Sequence, residues 1–216
     1  MGDSWLQRLV VRGPAAEVTA FRRAVASREK PEYRTIEREC ATQKLSFAKL
    51  RTLIPGRPVR RFDGEVEEPW DLSVDRARRL KDGSLELTYR FQLSAFEPDD
   101  LIVEVAKVYP RLCFVIGCVA PNVDEQSSRL VHGGRSWGWR LSSRRKEAIW
   151  KQLVPEETDD NNDELLWGEV QADWQMMDEV VAHWRPKMDT LVARVRRLDK
   201  AGRKTPHARR HRGPKR

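Results

Sequence analysis

The sequence predicts an α+β fold: a split β-α-β sandwich with helices on one sheet face, followed by a long C-terminal helix and a disordered basic tail. Three patterns carry that expectation. Residues 84–93 alternate apolar and polar side chains, residues 112–120 are almost continuously apolar, and apolar residues recur at spacings of three and four from Trp167 to Leu198.

The elements follow in chain order. Residues 6–12 read as a short strand ending at Gly13-Pro14, and Pro14 sits where the first turn of a helix tolerates it. Val18, Phe21 and Val25 then fall at helical spacing. Between residues 30 and 80 four prolines punctuate short segments, with a helix expected over 42–53 and a strand over 59–66. After the Lys81-Asp82-Gly83 turn, Leu85, Leu87, Tyr89, Phe91 and Leu93 share one strand face. Pro98, Asp99 and Asp100 open a helix whose acids suit the macrodipole, and Leu101, Ile102, Val105 and Val108 supply its apolar stripe. The run 112–120 suits a strand covered on both faces, and 129–141, interrupted by Gly133-Gly134, a neighbouring strand with a glycine bulge or a hairpin.

Strand, helix, a middle section, then strand, helix, strand is the order of a ferredoxin-like sandwich. The chain also resembles the YubB-like ferredoxin-like domain family of plasmid- and phage-encoded proteins over about residues 5–140. The matching features are the strand ending in Gly13, Trp70-Asp71, the stretch LELTYRFQLSAFEP at 85–98, and Tyr109-Pro110-Arg111-Leu112-Cys113-Phe114. Where that family has a tryptophan and a double proline, this chain has Phe96 and Pro98 alone. The resemblance implies a fold and a mobile-element setting, and it carries no catalytic residues.

The expected α+β domain spans residues 1–154, and an acidic, solvated linker occupies 155–164. An amphipathic helical arm, 165–199, follows, kinked near Pro186. Its seam, from Trp167 through Trp174 and Trp184 to Leu198, is apolar at every a and d position for over four heptads. A dimerising coiled coil and a helix folded back on its own sheet both satisfy that pattern. Three tryptophans are bulky for two-stranded knobs-into-holes packing and favour the second.

The chain holds 41 Lys and Arg against 33 Asp and Glu, a net charge of +8. All of that excess lies in residues 200–216, where Lys200, Arg203, Lys204, Arg209, Arg210, Arg212, Lys215 and Arg216 face no acid. Gly202, Pro206, Gly213 and Pro214 break the segment, so a disordered tail that attracts phosphate backbones nonspecifically is expected. Three cysteines without a CxxC spacing imply a reducing compartment. With no apolar run of membrane-spanning length, cytoplasmic localisation and no membrane partner are the expectations.

Catalytic motifs are scarce. His132-Gly133-Gly134 lacks a G-x-S-x-G partner, His207 and His211 lack further zinc ligands, and Asp159, Asp160, Asp163 and Glu164 lack the EF-hand order. No Walker A, GxGxxG or HExxH sequence is present, and no cofactor or metal is expected. A second basic group, Arg140, Arg144, Arg145 and Lys146, follows Trp137 and Trp139, whose rings either stack on bases or pack on the sheet. Shorter runs at 76–81 and 194–197 read as ordinary charged surface. The expected function is a non-enzymatic, nucleic-acid-associated accessory or assembly protein acting on RNA or DNA through the basic arm. The alternative is a protein-interaction adaptor or homodimer using Trp167, Trp174 and Trp184.

Overall fold

The computed structural model describes residues 5–27, 44–55, 70–93, 99–119, 126–154 and 162–203. Its strands are β1 (Trp5–Gly13), β2 (Ala26–Ser27), β3 (Lys44–Leu45), β4 (Trp70–Val74), β5 (Arg78–Arg79), β6 (Leu85–Leu93), β7 (Cys113–Val119), β8 (Gln126–His132) and β9 (Arg135–Trp139). Its helices are α1 (Ala15–Val25), α2 (Phe47–Thr52), α3 (Asp99–Val108), α4 (Ser143–Leu153) and α5 (Asn162–Arg203). The result is a mixed α+β fold with a 7-stranded antiparallel sheet ordered β4-β6-β1-β7-β8-β9, in which β5 also pairs with β6. Strand β6 lies between β1 and β4, so the β1-α1-β4 unit is split by a third strand. The strand expected at 59–66 lies outside the described residues.

Alternation sorts the strands' side chains onto two buried faces. Leu9, Val11, Leu87, Tyr89, Phe91, Phe114, Ile116 and Val131 pack with α1, α2 and α3 on one. On the other, Val10, Cys113, Val115 and Leu130 meet Val180, Trp184, Met188 and Val192 of α5. Beside them Val119 and Leu141 meet Ile149 of α4 and Ala172, Met176 and Met177 of α5. Helices therefore cover both faces rather than one, and every residue of β7 is buried as its apolar run implied. Gly117 allows α5 to approach, because a β-carbon there would stand 2.9 Å from the Met177 sulfur. Gly133 and Gly134, with φ of 55° and 77°, form the two-residue turn joining β8 to β9, a hairpin rather than a bulge.

The arm differs from its expected boundaries. α5 starts at Asn162, inside the stretch expected to be linker, and continues through residues 200–203 that were expected to be tail. It passes Pro186 as one helix. Pro186 and Ala182 are both exposed, so the carbonyl deprived of its N–H partner meets solvent. The heptad seam is only partly buried: Met177, Trp184, Met188 and Val195 face the interior, whereas Trp167, Val170 and Leu198 are 68%, 40% and 64% exposed. A line of 3.5-residue period drifts by about 20° per heptad on a straight helix, so over four heptads it rotates off the sheet at both ends.

Ion pairs fasten α5 to the sheet. Arg8 of β1, 6% exposed, pairs with Asp178. Arg12, 3% exposed, pairs with Asp189 at 2.6 Å and Asp82 at 3.1 Å. Asp199 pairs with Arg111, which also holds Glu17 of α1. The Trp184 indole N–H donates to Ser128 Oγ at 3.1 Å, and that hydroxyl donates to the Trp139 carbonyl at 2.7 Å. Trp184→Ala is expected to lower stability by about 3–5 kcal/mol and Trp167→Ala by less than about 0.5. Urea unfolding of both variants measures this; equal midpoints would contradict the folded-back packing of α5.

Candidate functional site

The basic residues picked out in the sequence do not form one patch. Arg140 lines a shallow depression of about 440 Å³ with Ser127, Arg129, Ser136 and Gly138 on the face of β8–β9 away from α5. Arg144 is exposed in the first turn of α4, which Ser142 caps by accepting from the Arg145 amide at 3.3 Å. Arg145 itself ties α4 to α5, its Nε donating to the Glu179 carboxylate oxygens at 2.9 and 3.0 Å. Lys146 is half-buried. Lys200 is exposed and Arg203 lies in the last turn of α5, while Lys204, Arg209, Arg210, Arg212, Lys215 and Arg216 lie outside the described residues.

The tryptophans divide as well. Trp184 is interior. Trp174 is half-buried with Arg8 and Arg90 at 5.2 and 5.7 Å from its ring centroid. Trp167 alone of the three is largely exposed. Trp139 stacks on His183 with centroids 3.9 Å apart and an interplanar angle of 7°, and Lys187 Nζ stands 3.9 Å over Trp137. Those two faces are already occupied, which favours the packing reading over base stacking.

His183 and Lys187 locate a more extended feature. Residues 179, 183, 187, 190, 194, 197 and 201 follow at spacings of three and four and so share one side of α5. The contacts of His183 and Lys187 show that this side borders edge strand β9. It carries Lys187 and the exposed Arg194 and Arg197, with exposed Lys200 one turn beyond. Exposed Arg135 alternates onto the same strand face as Trp137 and Trp139, and Arg144 stands beside the Arg145–Glu179 pair at the upper end.

The charges are segregated. After Glu179, α5 contains seven cations and two acids, Asp189 and Asp199, and both acids pair with arginines of the body, Arg12 and Arg111. The outward cations therefore lack acidic neighbours on their own helix. Burial, then the Lys187 charge, holds the His183 imidazole below its ordinary value, so it is neutral near pH 7. The band is thus a line of Arg and Lys whose attraction is for polyanions. Trp137 and Trp139 with the basic group Arg140 to Lys146, and the run 194–197, are visible separately in the sequence, whereas Arg135 is not singled out there. Their juxtaposition depends on the antiparallel β8–β9 hairpin placing Trp137 and Trp139 under α5.

No comparable chemistry appears elsewhere among the described residues. No group of three or more metal-ligating side chains is found there, and no helix there is long and apolar enough to cross a membrane. Cys113 lies 3.6 Å from His132 Nδ1, but that nitrogen also faces the Leu112 carbonyl at 3.1 Å. Burial pushes the Cys113 thiol up to about 12 despite nearby Arg12, which removes the thiolate a nucleophile requires. No protein-family model, curated protein or solved structure matches the chain.

One buried carboxyl stands apart. Burial, with a smaller contribution from Glu169, raises Asp173 to about 7, and its Oδ1 has no hydrogen-bond partner. An acid raised in the folded state favours folding when neutral; that contribution is complete below the unfolded value near 4 and is lost as pH rises through about 7. Asp173→Asn is therefore expected to be more stable than the parent at pH 8, with the difference vanishing below pH 4. Thermal melts across that range test it, and a constant difference at every pH would refute the assignment.

Proposed function

We propose that the protein is a non-enzymatic, nucleic-acid-associated accessory or assembly protein that holds phosphate backbones along the cationic band of β9 and α5 and through the basic sequence that follows. The observation carrying this reading is the segregation of charge on α5, with its acids turned to Arg12 and Arg111 and Arg194, Arg197 and Lys200 turned out. The next thirteen residues add six cations and no acid, continuing the same sign. The attraction is electrostatic and independent of sequence.

We also read the core as ferredoxin-like and akin to the YubB-like family. The β1-α1-β4-β6-α3-β7 order with strands arranged β4-β6-β1-β7 supports that assignment. α5 then occupies the sheet face opposite α1 and α3, which moves any nucleic-acid contact to the sheet edge.

Arg194→Gln combined with Arg197→Gln is expected to weaken binding to a labelled 24-bp duplex severalfold and to lower the salt slope by about 2. Fluorescence anisotropy at 50 and 200 mM salt reads both quantities, with Lys81→Gln as a distant control. Unchanged affinity in the double variant, or no binding by the parent, would reject the reading.

A second reading, an interaction adaptor, rests on Trp167 and Val170, exposed on the first turns of α5. Under it, light scattering finds a concentration-dependent dimer that Trp167→Ser converts to monomer. A parent chain that stays monomeric at every concentration would remove the self-association form of this reading.

A further inference from the structure

The band has a length, a continuity and a chemistry that specify its partner more narrowly. This step rests on the nucleic-acid reading given above. From Glu179, where Arg145 docks and Arg144 emerges, to Lys200 is 21 residues of a helix that runs without interruption. At about 1.5 Å per residue the line is about 32 Å long. Duplex nucleic acid of B form advances about 3.4 Å per base pair, so the line matches about nine to ten pairs, close to one helical turn.

Rigidity matters as much as length. The lower cations ride on α5, the upper ones on α4, and the Arg145–Glu179 pair with the Ile149, Ala172 and Met176 packing joins the two helices. Arg135 and Lys187 lie between, with Lys187 held over Trp137. A fixed row of charges is best matched by a stiff row of opposite charges, and a duplex is stiff over many times this distance whereas a single strand must be straightened. The aromatic groups that border the band, which could otherwise hold single strands by base stacking, are engaged within the protein: Trp139 with His183, Trp137 with Lys187, and Trp184 inside the core; the exposed Trp167 lies about three turns of α5 before Glu179, outside the band.

We infer that the β9–α5 band is a docking surface for the backbone of duplex nucleic acid, spanning about one helical turn and reading no bases. Arg144 anchors the upper end, Arg194 and Arg197 the lower end, and the contacts go to phosphates. Duplex binding by the band is distinct from attraction of any polyanion to the six cations of residues 204–216.

The test separates the two. The full-length chain, and a full-length variant with Lys204, Arg209, Arg210, Arg212, Lys215 and Arg216 changed to Gln, are titrated against hairpin stems of 6, 9, 12 and 18 bp. Single strands with equal numbers of phosphates, and phosphatidylglycerol–phosphatidylcholine vesicles, serve as comparators. In the Gln-tailed variant, affinity is expected to rise about tenfold between 6 and 12 bp and to change by less than about threefold from 12 to 18 bp. Single strands and vesicles are expected to bind at least about tenfold more weakly than the 12-bp stem. Arg144→Gln is expected to abolish the step with length while leaving 6-bp binding within about twofold, since the lower anchor remains. Equal binding of duplex and single strand, a smooth rise with length, or preference for vesicles would overturn the inference while polyanion binding stands. Failure of the parent chain to bind any of these probes would overturn both this inference and the reading beneath it.

Discussion

Two arginines, Arg8 and Arg12, project from the central strand β1 onto the face that α5 covers, and both are almost wholly buried. A guanidinium keeps its charge in any protein environment, so this face of the sheet needs carboxylates brought to it. Asp178 and Asp189, three helical turns apart on α5, supply them, and Asp82 and Ser84 complete the surroundings of Arg12. Removing Asp178 leaves the buried Arg8 guanidinium without its carboxylate, whereas Arg12 keeps Asp82 when Asp189 is lost; because both α5 acids are themselves exposed, the pairs say more about where α5 lies than about how stable the fold is. The two pairs fix the register of α5 together with the close approach of Met177 to Gly117 and the hydrogen bond from Trp184 to Ser128.

That register governs the outer surface too. With the acids Asp178, Asp189 and Asp199 drawn toward Arg8, Arg12 and Arg111, the side of α5 bordering β9 is left with Lys187, Arg194 and Arg197. The body is formally neutral when residues 200–216 are set aside, yet its surface is not. Acids paired with arginines of the sheet side screen less well the cations of the same helix turned the other way. Net charge by segment, a sum over residues, is blind to this because it weighs a carboxylate paired with a buried arginine the same as an unpaired one.

Sheet strands were legible because their side-chain period is short and their pattern local: the alternation of 85–93 and the apolar run near 113–119 state the two kinds of burial directly. The helical arm was legible as a helix, but its partner was not. Heptad repetition from Trp167 to Leu198 describes a line on the helix, and the same line suits a second helix or a sheet; what decides is the pairing of Arg8 with Asp178, 170 residues apart. Helix termini are less legible than strands. Asn162 and Asp163 read as linker by composition, yet asparagine and aspartate are equally the residues that open helices. Among the candidate residues, Arg140 and Arg145 illustrate the limit: adjacent in a basic run, one faces an open depression and the other is consumed by Glu179, a distinction set by the turn from strand β9 into helix α4.

The position of α5 also constrains which nucleic-acid chemistry is compatible with the fold. Sheets that bind single-stranded RNA display aromatic side chains on an open face, where unstacked bases lie flat against them. Here both faces of the central strands are roofed, one by α1 and α3 and the other by α5, and the aromatic residues at the edge are stacked or capped by side chains of α5. What remains accessible along the β9–α5 edge is charge, and the exposed Trp167 lies apart from it on the first turns of α5. Guanidinium and ammonium groups in a row discriminate poorly among bases, since phosphate geometry is common to every sequence, and they gain most from a partner whose phosphates are already held in line. On the proposed nucleic-acid reading, a surface organised in this way favours coverage over selection, because phosphate contacts carry no base information.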